Sequence, residues 1–263
     1  MPRANRYYAP GYVWHITHRC HKREFLLKFS RDRDTFRSWL FEARKRFGLC
    51  VLNYMITCNH IHLLVVDNEE NVISKSMQLM AGRTGQEYNE RKGRSGAFWE
   101  DRYHATAIDT QDYLWQCMMY IDCNMVRAGV VTHPSKWPHC GYNEIVEPVS
   151  RYRVIDNGKV VSYFGFQKQE NFLAEYRRFV NAAVSSVESQ GRDSRWSEAI
   201  AVGNRKFLEG IKDNLGIPAK DRKIEENAGI SFLKEPRISY GDDFSIENDV
   251  LRGENGHFWK TSL

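Results

Sequence analysis

The sequence predicts an α+β fold of the ferredoxin-like split βαβ type, with one antiparallel sheet and helices packed on one face. Two observations lead to this prediction. Short runs rich in β-branched and aromatic residues alternate with longer runs whose apolar residues recur at helical spacing. Their order over residues 11–129 is β-α-β-β-α-β followed by a helix, which is the order of the split βαβ unit.

Four segments are predicted to be strands. Residues 11–20, GYVWHITHRC, mix β-branched and aromatic residues, and residues 97–109 have a similar composition. Residues 49–59 and 60–67 follow each other in close succession, which predicts an antiparallel pair.

Three helices are predicted between and after these strands. Residues 30–48 and 72–91 have the apolar spacing of helices that cover a sheet, and the first of them stops at Gly48. A third helix is predicted over residues 110–129, with Gly129 as its C-terminal stop.

The character of the sequence changes beyond about residue 145. We therefore predict a first domain over residues 1–147 and a C-terminal extension over residues 148–263. The extension is expected to be mostly helical, with helices over 171–189 and 195–216, and its last forty residues are polar and weakly patterned. Its role stays open from the sequence.

Composition indicates a soluble, cytoplasmic protein. The sequence contains no apolar run long enough for a membrane helix and no leader-like N-terminus. Six cysteines are scattered without a C-x-x-C pair, which favours reduced thiols over a zinc ribbon or a disulfide framework.

Positive charge is concentrated near the N-terminus. The net charge is +5, and residues 1–46 hold twelve Lys/Arg against four Asp/Glu. Arginine predominates there, and clustered guanidinium groups suit phosphate oxygens. A solvated basic face would have the same composition, so charge alone does not identify the partner.

Two histidines flank one isoleucine in the apolar run CNHIHLLVVDN at residues 58–68. Residues two apart on a strand point to the same face, so His60 and His62 should project together. Two such imidazoles are half of a divalent-metal site. A hydrogen-bonded pair without metal remains the alternative for this short pattern. A hydrogen-bonded role is also favoured for His15, over an approach to the metal.

The third predicted helix carries a polar edge beside its apolar stripe. Tyr120 and Asn124 lie one turn apart on this edge, and Arg127 shares it. A metal held by His60, His62 and the Asn124 oxygen would leave positions open for a scissile phosphate, in line with the Tyr120 oxygen. Nitrogen and amide ligands of this kind suit Mg²⁺ or Mn²⁺. An amphipathic surface tyrosine is the alternative.

Three blocks of the sequence resemble a known family. NHIHLLV at 59–65, RSGAFWEDRYHATAID at 94–109 and YLWQCMMYIDCNMVRAGVV at 113–131 are similar to the tyrosine transposases associated with repetitive extragenic palindromes (REP). These belong to the single-tyrosine HUH nuclease superfamily and are related to insertion-sequence transposases that move single-stranded DNA. The resemblance covers about residues 5–145.

The resemblance implies roles for single residues. His60 and His62 match the metal-binding histidines, Tyr120 matches the nucleophile, and Asn124 matches a further metal ligand. Family members usually have proline after that asparagine, where this sequence has Met125. The implied activity is a metal-dependent single-stranded DNA endonuclease and strand transferase with a covalent 5′-phosphotyrosine intermediate.

The resemblance also implies a substrate and a setting. The substrate would be a palindromic DNA hairpin with a short flanking guide sequence, bound by a monomer or a homodimer near the bacterial nucleoid. Basic and aromatic side chains could track phosphates and stack on unpaired bases. The candidates are Arg3, Arg6, Arg19, Arg23, Arg94, Trp99, Arg102 and Arg127. Sheet core is the alternative for Phe98 and Trp99.

Other functions remain open from the sequence. A domesticated relative could bind DNA hairpins without cutting them. A metal-dependent RNA endonuclease is a further reading, as is a zinc-binding regulator, which would lack a fourth strong ligand.

Overall fold

The computed structural model describes residues 11–109, 112–186, 193–215, 222–227 and 229–234. Within them one seven-stranded sheet is present. Its strands are β1 (Val13–Arg19), β2 (Cys50–Ile56), β3 (His60–Val66), β4 (His104–Ile108), β5 (Ala199–Val202), β6 (Ile224–Asn227) and β7 (Ile230–Lys234).

Helices connect and cover these strands. They are α1 (Ser30–Phe47), α2 (Val72–Lys92), α3 (Asp112–Asp122), α4 (Asn124–Arg127), α5 (Gly141–Val146), α6 (Asn157–Tyr163), α7 (Gln169–Ser186), α8 (Arg195–Glu198) and α9 (Arg205–Leu215). None of the helices in the described ranges has the length and hydropathy to cross a bilayer. The thiols of all six cysteines are buried and unbridged.

The strand order is β2-β3-β1-β4-β5-β7-β6. Central strand β1 pairs antiparallel with β3 on one side and with β4 on the other, and β2 pairs antiparallel with β3. This is the split βαβ arrangement, so the predicted α+β fold class is confirmed. In the β1–β3 register, Thr17 lies opposite His62 and Arg19 lies opposite His60.

Helices cover both faces of the sheet. On one face, His18 stacks on Trp99, which contacts Phe36 of α1 and donates its indole N–H to the Ala81 carbonyl of α2 at 2.9 Å. On the other face, Asp122 at the end of α3 accepts a hydrogen bond from Asn53 of β2. The prediction of helices on one face therefore holds for α1 and α2, but α3 covers the opposite face. A helix can pack there because β2 and β3 are apolar on both sides.

The third helix is shorter than predicted. It ends at Asp122, and after Cys123 a separate turn, α4, begins at Asn124. Gly129 has φ +66°, the left-handed conformation of a helix stop that the sequence predicted there.

The extension adds strands as well as helices. The helix predicted over 195–216 is instead α8, β5 and α9, because the buried run Ala199–Val202 pairs parallel with β4. A four-residue apolar run inside a longer amphipathic pattern gives no strand signal of its own, and tertiary pairing decides its conformation. The division of the chain at residues 147/148 stays a prediction.

A buried hydrogen-bond network ties α7 to α3. The Asp122 carboxylate accepts from the Tyr176 hydroxyl at 2.7 Å and from the Asn53 amide at 2.9 Å. Asp122 and Tyr176 have no solvent-exposed surface. Burial raises the pKa of Asp122 to about 7, and the two donated hydrogen bonds oppose that rise. The extension is thus fastened to the helix that carries Tyr120.

We expect Tyr176→Phe to lower the free energy of unfolding by about 1–3 kcal/mol, because it leaves a buried carboxyl oxygen without its donor. Urea denaturation followed by circular dichroism measures this. The matched control is Tyr152→Phe, since Tyr152 is 76% exposed and its loss of a hydroxyl should cost no more than about 0.5 kcal/mol. Equal stability of the two variants would contradict the role assigned to the network.

Candidate metal and tyrosine site

The paired histidines lie on one face of the sheet, at the end where β1 stops and β3 begins. The ring centroids of His60 and His62 are 4.9 Å apart and the rings are nearly perpendicular. His62 is 3% exposed, and His60 is half-buried at the end of β3. The structure therefore brings both imidazoles together as their spacing predicted.

The proton position on His60 follows from its neighbours. Its Nδ1 lies 2.7 Å from the Asn59 side-chain oxygen and 3.0 Å from the Thr57 hydroxyl. An amide oxygen only accepts hydrogen bonds, so Nδ1 carries the proton. The lone pair of His60 is therefore on Nε2.

His62 is held by a third histidine. Its Nδ1 lies 2.9 Å from Nε2 of His15, and its Nε2 faces the Asn124 amide at 3.1 Å. Burial lowers the pKa of His15 to about 3 and the pKa of His62 well below its usual range, and the neighbouring imidazoles add to the effect on His62. Both rings are therefore neutral at pH 7, with His62 donating from Nδ1 and keeping a lone pair on Nε2. The hydrogen-bonded role that the sequence favoured for His15 is the observed one.

The donor set fits a divalent cation. Ligating histidines usually donate their second ring nitrogen to a fixed partner, as His60 and His62 do here. A half-turn of the Asn124 amide would direct its oxygen to the same place. Within the described ranges no three or more His, Cys, Asp or Glu side chains surround a common centre, so two imidazoles and an amide would leave coordination positions open.

Tyr120 lies beside the histidines in the same chain. Its ring centroid is 5.9 Å from that of His62 and 6.1 Å from that of His15. The Arg127 guanidinium lies 4.2 Å from the Tyr120 ring centroid, and Arg127 also donates to the Tyr120 carbonyl at 2.7 Å. The side chains of Tyr120, Asn124 and Arg127 thus converge on the histidine pair, although a break separates α3 from α4.

Met125 stands where members of the resembled family usually have proline, and this difference leaves the arrangement of Tyr120, Asn124 and Arg127 intact. Met125 is 3% exposed and occupies the second position of α4, directly after Asn124. Proline is tolerated in the first turn of a helix, so either residue can occupy this position.

Six of the eight predicted DNA-contacting residues lie in the described part of the chain, in three groups. Arg19 and Arg127 are at the site, since Arg19 pairs with His60 across the sheet. Arg23 lies in the loop after β1, and its backbone carbonyl accepts a hydrogen bond from the Asn59 side chain. Arg102 is exposed just before β4. Trp99 is half-buried against His18, and the Arg94 guanidinium donates hydrogen bonds to the Asn89 side chain and the Ala97 carbonyl. Arg3 and Arg6 lie outside the described residues.

The sequence reasoning missed some supporting residues. Thr57 and Asn59 orient His60, and the polar residues at one and three positions before the H-x-H pattern were a usable signal. Trp196 of α8 lies 6.2 Å from the Tyr120 ring centroid and is 3% exposed. Nothing in the sequence places Trp196 near residue 120, because the contact spans a long separation along the chain.

Comparisons with known proteins found similarity to one family model and to solved structures. Residues 9–124 match the family model described as "Transposase IS200 like". Among solved structures, a REP-associated tyrosine transposase bound to a REP hairpin is 19% identical, with a TM-score of 0.47 over 59% of this chain and 94% of that one. A putative transposase from Deinococcus radiodurans R1 is 16% identical, with a TM-score of 0.33 over 43% of this chain and 91% of that one. No curated protein sequence matches the chain.

The family match and the sequence blocks point the same way. The matched segment contains both histidines, Tyr120 and Asn124, and it ends at Asn124. Over residues 9–124, the chain is therefore similar to IS200-like transposases.

Proposed function

We propose that the protein is a divalent-metal-dependent endonuclease and strand transferase that acts on single-stranded DNA folded into a palindromic hairpin. The observation that carries the proposal is the convergence, within one chain, of the Tyr120 ring, the His62 imidazole and the Asn124 amide. A phenol beside imidazoles with fixed proton positions suits metal-assisted phosphoryl transfer to tyrosine.

Tyr120 is the proposed nucleophile. Its oxygen forms a bond to the scissile phosphorus while the bond from phosphorus to the 3′ oxygen breaks, which leaves a 5′-phosphotyrosine and a 3′ hydroxyl. The phenol gives up its proton to water, and the departing oxygen takes one up. Attack by the 3′ hydroxyl of another strand on the phosphotyrosine completes the transfer.

Arg127 and the histidines prepare the site for this step. The Arg127 charge lies over the Tyr120 ring, where it favours negative charge on the phenol oxygen and on the phosphate. His60 and His62 with Asn124 are the residues that would hold Mg²⁺ or Mn²⁺. When bound, the cation would polarise the phosphoryl oxygens and offset negative charge in the transition state.

The hairpin form of the substrate rests on the three sequence blocks that resemble REP-associated transposases. The IS200-like family match and the arginine-rich first 46 residues support a DNA substrate more broadly. The proximity of Tyr120 to His62 in one chain supports an active site assembled within a monomer. We therefore propose that one subunit suffices for cleavage, whether or not the protein also forms a homodimer.

We expect the protein to form a covalent adduct with a labelled, palindromic single strand in the presence of Mn²⁺, seen as a band that survives denaturing electrophoresis. Tyr120→Phe should abolish the adduct, because it removes the attacking oxygen. The control is Tyr113→Phe, which removes a phenol from the same helix.

Three results would contradict parts of the proposal. Salt-sensitive hairpin binding with no cleavage under any divalent metal would favour a binding-only protein. Cleavage of RNA hairpins in preference to DNA hairpins would favour an RNA endonuclease. An adduct that persists in Tyr120→Phe would reject Tyr120 as the nucleophile.

Metal removal should stop cleavage while leaving hairpin binding in place. We expect EDTA, and separately His62→Asn, to lower the cleavage rate at least about 100-fold, because transition-state charge loses its main stabiliser. Single-turnover cleavage and fluorescence anisotropy on the same samples separate the two effects. Unchanged cleavage by His62→Asn at limiting Mn²⁺ would contradict the ligand assignment.

His15 should act through His62 on metal affinity. We expect His15→Gln to raise the Mn²⁺ concentration for half-maximal cleavage by about 10–100-fold, since it removes the group that fixes the ring of a ligand. Saturating Mn²⁺ should restore most of the rate. His18→Gln is the matched control, because His18 is a buried histidine of the same strand on the opposite face.

A further inference from the structure

The loop between β1 and α1 exposes two phenylalanines. Phe25 is 45% exposed and Phe29 is 56% exposed, whereas Leu26 and Leu27 between them are buried. The loop is therefore anchored in the core by its leucines while both aromatic rings remain in solvent. Single exposed apolar residues need no explanation, but two rings within five residues of an anchored loop form a patch.

The loop is fastened to the segment that carries His60. The Cys20 N–H donates to the Asn59 carbonyl at 2.7 Å, and the Leu27 N–H donates to the Cys58 carbonyl at 2.9 Å. The Asn59 side chain donates to the Arg23 carbonyl at 3.3 Å while its oxygen orients His60. The patch is thus positioned beside the end of the sheet at which the histidine pair lies.

The backbone of this loop is strained. Lys22 and Arg23 have φ values of +49° and +58°, which residues other than glycine rarely adopt. Strain of this kind is found more often at ligand-binding segments than elsewhere. The strained pair turns the chain one residue before Phe25, which is separated from Arg23 only by Glu24.

Two lysines border the Phe29 ring, and further basic residues lie nearby in the chain. The ammonium groups of Lys28 and Lys92 lie 5.8 Å and 5.6 Å from the Phe29 ring centroid. Lys22, Arg23 and Arg94 lie in the same loop or just beyond α2, and the carboxylate among them, Glu24, is paired with Arg94 at 3.8 Å. Exposed rings bordered by cations fit unpaired bases whose phosphates lie alongside.

We propose that Phe25 and Phe29 form a stacking platform for the unpaired bases that flank the DNA hairpin. This inference rests on the proposed function and deepens it by naming the residues that hold the single-stranded flank. Trp99, the aromatic candidate for this task from the sequence, packs against His18, and its neighbour Phe98 packs against Tyr88. The proposed platform therefore consists of Phe25 and Phe29, which are more exposed than Phe98 and Trp99.

The test uses the full chain with Tyr120→Phe, so that binding is measured without cleavage. The probes are one hairpin oligonucleotide with blunt ends and the same hairpin with an unpaired oligothymidine tail, on the 5′ or the 3′ side. We expect Phe25→Ala and Phe29→Ala each to weaken binding of a tailed probe about five- to 100-fold and to leave the blunt probe unchanged. Fluorescence anisotropy measures both.

Two further measurements identify stacking as the cause. A 2-aminopurine placed in the tail should be quenched on binding, and the alanine variants should lose that quenching while Phe29→Trp keeps it. Lys92→Gln should lower the salt dependence of tail binding by about 0.7 in log–log slope, and the phenylalanine variants should leave that slope unchanged. Tyr152→Ala, an exposed aromatic of another loop, is the matched control.

The outcomes separate this inference from the proposed function. Tailed-probe affinity that is unchanged in the Phe25→Ala/Phe29→Ala double variant would overturn the platform, as would equal losses on tailed and blunt probes. Selective loss on the tailed probe supports the platform even if the chain with Tyr120 intact forms no covalent adduct, in which case only the cleavage proposal fails. Absence of binding to every probe by the parent protein would overturn both.

Discussion

The site depends on the hydrogen bond between His15 and His62, which joins two neighbouring strands beneath the proposed metal position. Both rings are almost fully buried, and burial favours the neutral forms of both imidazoles. Neutral rings can share one hydrogen bond in a low-dielectric environment, whereas two buried cations would repel each other. The same neutrality leaves Nε2 of His62 available to a cation. Structural stability and ligand chemistry therefore require the same protonation state.

The helix that carries Tyr120 is held from two directions. Towards the sheet, Asn53 binds the carboxyl group of Asp122, two residues after Tyr120, and towards the extension Tyr176 binds the same carboxyl group. In addition, Arg127 of α4 donates a hydrogen bond to the Tyr120 carbonyl, and its guanidinium group lies over the Tyr120 ring. As the proposed nucleophile, Tyr120 gains from such restraint, because positional freedom of its hydroxyl would lower the rate of in-line attack on a phosphate. The extension thus takes part in shaping the site although it lies outside the family match at residues 9–124.

Local patterns were sufficient for most of the first half of the fold. The alternation in HIH placed two imidazoles on one face, and helical spacing placed Tyr120 and Asn124 together, because both inferences depend on short-range geometry alone. The break at Cys123, the strand β5 and the position of Trp196 depend on contacts between distant parts of the chain, and a single sequence does not encode those visibly. The exposure of single aromatic residues could not be predicted from the sequence either. Trp99 and Phe25 are both aromatic residues among polar and charged neighbours, yet Trp99 is packed against His18 and Phe25 lies in solvent.

The parallel pairing of β5 with β4 also determines what the sheet presents to other molecules. Without β5, the backbone N–H and C=O groups along one side of β4 would have no partner and could join the sheet of a second subunit. With β5 in place, the border of the sheet formed by the described residues moves outwards to β6, a strand of four residues that includes two glutamates, Glu225 and Glu226. Short, charged border strands resist strand addition. The extension therefore hinders the β1–β4 part of the sheet from pairing with the sheet of a neighbouring molecule.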